Sequence, residues 1–67
     1  MKIQDYIINN FKEDDINTLR NTITECIQDG DEETLPGMGV FLELIWKESN
    51  EELRKQMLEN LHKALKK

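Results

Sequence analysis

The chain has one cysteine and one histidine. A lone cysteine cannot close an intramolecular disulfide, and one Cys with one His cannot fill a four-ligand zinc site. The staples that usually support a small fold are therefore missing. Side-chain burial must suffice, with self-association as the remaining aid. A free thiol also fits a reducing compartment. Basic residues are few. Nine Lys and Arg against fourteen Asp and Glu leave a net charge of −5, with no basic cluster to meet a phosphate backbone. Long apolar runs are absent too. The longest, residues 38–46, is interrupted by Gly39 and Glu43, far short of the ~20 residues a membrane span needs. The N-terminal MKIQDYIINNFKEDD contains no long apolar stretch of the kind a secretory leader carries. A cytosol-like compartment is expected, with neither membrane nor nucleic acid as partner.

Catalytic groupings are also missing. No phosphate-binding loop is present, no carboxylate pair stands on an apolar wall, and the single His leaves no nucleophile–base arrangement. No enzyme activity, cofactor or metal is expected. Asp29, Asp31, Glu32 and Glu33 crowd one turn. They lack the alternating spacing and the terminal bidentate Glu of a calcium loop, and read as a solvated acidic connection. His62 flanks a helical stripe and reads as a surface residue. Cys26 lies on an apolar stripe, where cysteine behaves as a small hydrophobe. A reactive thiol or an intermolecular disulfide is the alternative.

What is present is helical patterning. Sixty-seven residues make one small domain, residues 1–67, and such chains bury only about 60% of their unfolded surface. Charged residues reach 34% and apolar ones only 37%, but the apolar residues recur with a helical period, which argues for folding. Ile3, Tyr6, Ile7 and Phe11 mark a short first helix over about 2–11. Ile16, Leu19, Ile23, Cys26 and Ile27 mark a second over about 15–29, capped by Asp14 or Asp15 and stopped by Gly30. Residues 30–35, GDEETL, connect it to a third helix at about 37–48, with Pro36 at its entry. Gly37 and Gly39 weaken that first turn, and imply that another backbone approaches closely there or that the helix starts nearer Met38. Ser49 and Glu52 have capping-box spacing, starting a fourth helix over about 50–66 with the stripe Leu53, Met57, Leu58, Leu61, Ala64 and Leu65. Glu51–Lys55 and Glu59–Lys63 are acid-before-base pairs on it. Lys63, Lys66 and Lys67 suit the C-terminal end of its dipole.

The third helix sets the architecture. In LPGMGVFLELIWK, residues 35–47, only Glu43 and Lys47 are clear solvent-facing positions. A helix that is apolar all round is buried all round. The expected fold is all-α, a small compact bundle of three to four helices with this apolar helix central and buried. Phe41 and Trp46 then read as core. The alternative is that a chain this short fails to cover them. Phe41, Leu42, Ile45 and Trp46 would then form a surface for a protein partner or a second copy in a homodimer.

The same run carries a resemblance. LPGMGVFLELIWK, preceded by GDEE and followed by a capped amphipathic helix with a basic tail, is similar to the I-type minor small acid-soluble spore proteins of spore-forming Firmicutes. The similarity reaches back through TLRNTITECIQDGDEE and covers about residues 16–66. It implies a small protein made in the forespore and held in the spore core. It implies no catalytic residue, since that family has no established activity. The abundant DNA-saturating spore proteins are a different class, and their glycine-bearing DNA-contact motifs do not occur here. Two function classes follow: a non-enzymatic structural or accessory protein of the spore core, or a small helical adaptor that binds a partner helix or itself.

Electrostatics give a direct prediction. Residues 1–35 carry a net −6 and residues 36–67 a net +1, so no stripe of the chain attracts duplex DNA. Gel-shift titration at low salt should show no saturable complex at micromolar protein. A complex that forms there and dissolves steeply with salt would show the charge distribution to have been misread.

Overall fold

The computed structural model describes residues 2–66. Four α-helices account for most of them: α1 (Ile3–Phe11), α2 (Ile16–Asp29), α3 (Leu35–Glu48) and α4 (Glu51–Leu65). No strand occurs among the described residues, and the all-α expectation holds.

Each boundary has a local cause. Asp15, in extended conformation, caps α2 by accepting the Thr18 N–H at 2.8 Å. Of the two candidate caps, Asp15 is therefore the one used. The hydrogen bonds from Thr18 hold its carboxyl below the usual range, so this cap is retained until pH falls below the ordinary carboxylate range. Gly30 ends α2 at φ 60°, ψ 25°, a left-handed conformation that costs glycine nothing. The acidic connection is more ordered than its composition implies. Asp31 accepts the Glu33 N–H at 2.9 Å and opens a 3₁₀ turn, Glu32–Thr34. That turn runs directly into α3, which begins at Leu35 with Pro36 in its first turn. Helical structure thus starts two residues before the expected 37.

Directions follow from the contacts. The Cβ that Gly37 lacks would lie 3.5 Å from Ile7 Cδ1, and Phe11 meets Phe41 edge-on at 5.2 Å between ring centres. Both positions advance by four residues, so α1 and α3 run the same way. α2 returns between them. Cys26 lines the same groove as Gly37, and Leu19 the same groove as Leu44. α4 folds back on α3 across the two-residue link Ser49–Asn50, an αα-hairpin. The expected close approach at the glycines is a side chain, Ile7, at Gly37, while nothing lies within 4 Å of the missing Cβ at Gly39.

Burial is where structure and expectation part. Among the described residues only Val40, 7% exposed, is buried. Phe41 and Leu44 are half-buried, whereas Leu42, Ile45 and Trp46 are exposed. α3 is central but not enclosed. The reason is geometric. α1 and α2 flank one side and α4 another, and these short helices leave the arcs between them open.

The Ser49 cap is a second correction. Asn50, in extended conformation at ψ 177°, caps α4 by accepting the Leu53 N–H at 2.9 Å. Ser49 instead terminates α3, its hydroxyl donating to the Ile45 carbonyl at 2.6 Å. That carbonyl is one of the groups a helix end leaves unpaired. The capping-box spacing was one residue out of register. Asn50→Ala should therefore cost about 0.5–2 kcal/mol, with Asn50→Ser close to the parent. Urea denaturation checks this. A neutral Asn50→Ala beside a costly Ser49→Ala would return the cap to Ser49.

Candidate interaction surface on the third helix

The four residues expected as one patch form two i,i+4 pairs, Phe41/Ile45 and Leu42/Trp46. Successive helical residues sit about 100° apart, so the pairs face different ways. The structure gives each pair its own groove. Phe41 and Ile45 line a groove of about 240 Å³ between α1, α2 and α3, walled by Ile7, Phe11, Ile23 and Leu44. Among the described residues, Lys12 is the only charged one lining it. Leu42 and Trp46 line a second groove, completed from α4 by Met57, Leu58 and Leu61.

The first groove is held by aromatic contact. The Phe11 and Phe41 rings meet at an interplanar angle of 83°, the edge-to-face geometry their quadrupoles favour. α1 has no side-chain cap, so this contact, with Ile7 against Gly37, ties it to α3.

The second groove is held by Arg54, a residue the sequence pattern does not single out. Its guanidinium carbon lies 5.2 Å from the Trp46 ring centre. Its Nε donates to the Trp46 carbonyl at 2.9 Å and its Nη1 to Glu51 Oε1 at 3.1 Å. One side chain thus stacks on the indole, satisfies a C-terminal carbonyl of α3, and pairs with the first turn of α4. Glu51 turns to Arg54 rather than to Lys55, while Glu43 and Lys47 close an i,i+4 pair at 2.9 Å. The signal that could have found Arg54 is the two-residue link, which brings the start of α4 against the end of α3.

The remaining candidates are dispersed. Cys26 is a free, half-buried thiol lining the space between α1, α2 and α3. His62 is exposed on α4. Asp31 is engaged as a cap, and among the described residues no three of His, Cys, Asp and Glu converge to hold a metal ion. No helix among them is long and apolar enough to cross a membrane.

Fold and surface together define a small all-helical protein whose distinctive feature is apolar contact area on one central helix. The family model for small, acid-soluble spore protein I matches residues 1–65, and the chain belongs to that family. Similar proteins include small, acid-soluble spore protein I of Bacillus cereus (strain AH187), 49% identical over 49 residues, covering 73% of this chain and 71% of that one. The same protein of Bacillus anthracis (strain CDC 684 / NRRL 3495) matches with the same figures. No solved structure matches. The family match extends through the first fifteen residues, beyond the 16–66 covered by the sequence resemblance.

The aromatic contact is testable by a double-mutant cycle on Phe11 and Phe41, each replaced by Leu. A coupling of about 0.5–1.5 kcal/mol is expected for an edge-to-face pair. Strictly additive losses would show that α1 does not rest on Phe41.

Proposed function

We propose that this chain is a non-enzymatic structural or accessory protein of the spore core, made during sporulation and acting through contact surfaces rather than chemistry. Membership of the small, acid-soluble spore protein I family across residues 1–65 carries this reading. The surface supports it. The two grooves on α3 are walled mainly by aliphatic and aromatic side chains, with Lys12 lining one and Glu43 the other, and they offer contact area.

Composition fits the acid solubility in the family's name. In strong acid the fourteen carboxylates are neutral, and nine Lys and Arg with one His leave a charge of about +10. Chains so charged repel one another.

A second reading, a helical adaptor, is favoured by one observation: Leu42, 60% exposed, and Trp46, 38% exposed, stand open beside α4. The two readings are compatible. Mass spectrometry of spore-core extracts against vegetative cells, with crosslinking beforehand, tests both. The chain should appear in the core extract and be absent from vegetative cells. Equal abundance in growing cells would overturn the spore-core reading. Reproducible crosslinks to one other protein would favour the adaptor.

A further inference from the structure

The chain exposes more surface than a protein of its mass should. Its accessible area is 5986 Å², whereas a well-packed monomer of 7.9 kDa exposes about 4,400 Å² by the usual mass scaling. The Cα radius of gyration is 13.0 Å, against about 10.9 Å for a compact chain of this length. The excess area, on the order of 1,600 Å², exceeds the roughly 800 Å² that each partner contributes to a standard stable interface. The uncovered apolar residues lie on all four helices, Ile3 and Tyr6 of α1 and Ile16 and Ile27 of α2 among them; those on the α3–α4 face include Leu42 and Trp46 on α3 and Leu58, Leu61 and Leu65 on α4.

Charge selects the occupant. Residues 1–35 carry −6, so a two-fold contact between copies through α1 and α2 would set two strongly acidic surfaces together. Residues 36–67 carry only +1, and the α3–α4 face meets its own copy with little repulsion. α4 is also polarised along its length. Glu51 and Glu52 lie in its first turn, and His62 and Lys63 in its last, with Lys66 just beyond. Two copies of α4 laid antiparallel bring the acidic end of each beside the basic end of the other. A two-fold axis across α4 produces that arrangement, and it is the symmetry most homodimers use.

We infer that the α3–α4 face is the contact surface for a second copy of this chain, docked antiparallel about a two-fold axis across α4. Leu42 and Trp46 of one copy then face Leu58, Leu61 and Leu65 of the other. This deepens the reading of α3 as a contact helix and rests on it. The apolar area supplies most of the affinity. The charges set the orientation, with a contribution that salt screens.

Sedimentation equilibrium of the full chain, from low micromolar to millimolar, tests the inference. The mass should rise from 7.9 kDa toward twice that value. Leu58→Glu combined with Leu65→Glu should stay monomeric with helical circular dichroism retained. Ile16→Glu, at an 84% exposed apolar site in the acidic half, should dimerise like the parent. A charge series guards against misfolded variants. Lys63→Glu with Lys66→Glu should weaken association at low salt about fivefold or more, as expected of lost opposite-charge pairs. Adding Glu52→Lys, which leaves the Glu51–Arg54 pair intact, should restore part of it. A constant monomer mass would overturn the inference while leaving the spore-core reading intact. So would association that the Leu58/Leu65 variant retains, and failure of the charge swap to restore affinity would overturn the antiparallel arrangement.

Discussion

The structure depends on one imbalance: α3 carries apolar side chains on almost every face, and three short helices cannot cover them all. Val40 alone is buried among the described residues. Each fully covered aliphatic side chain would contribute about 1.5–3 kcal/mol, and here most are only partly covered. Conformational entropy still opposes every ordered residue. With no disulfide and a single cysteine, nothing covalent offsets that cost. The stability of this chain therefore rests on how α3 is flanked, and on what covers the rest of it.

Two devices hold the flanking helices in place, and both act on aromatic residues of α3. Phe41 meets Phe11 in edge-to-face contact and docks α1. Trp46 receives the Arg54 guanidinium on its ring and on its carbonyl, closing the α3–α4 hairpin. The two aromatics lie on different faces of the helix, so the devices do not compete. They also leave Leu42 and Ile45 open, because each device secures one face and the intervening arcs receive no helix. The same geometry that assembles the fold thus leaves apolar surface open on α3.

Most of the helices were legible in the sequence because their signals are local. Gly30, Pro36 and an Asp ahead of Ile16 mark boundaries through backbone chemistry that operates within a few residues. Ser49 misled because it and Asn50 are both good caps standing side by side. Both are extended, and the hairpin separates them by their partners: the Ser49 hydroxyl donates to the Ile45 carbonyl, and the Asn50 side chain accepts the Leu53 N–H. Arg54 was not legible because Trp46, its distant partner, reaches it only when α4 folds back on α3. The four candidate residues are legible as apolar positions, but their division between two grooves is not. Phe41, Leu42, Ile45 and Trp46 do line grooves, but period alone does not tell which arcs neighbouring helices fill. The expected enclosure of α3 failed for the same reason: an apolar pattern reports a demand for burial, not the supply of cover.

Trp46 is the chain's single tryptophan, and it stands at the open edge of α3. Collisional quenching of its fluorescence by acrylamide, followed against protein concentration, tests most directly whether α3 lacks cover within its own chain. The indole should be readily quenched at high dilution and increasingly shielded as concentration rises. An indole equally shielded at every concentration would contradict this, because the chain would then be covering α3 by itself.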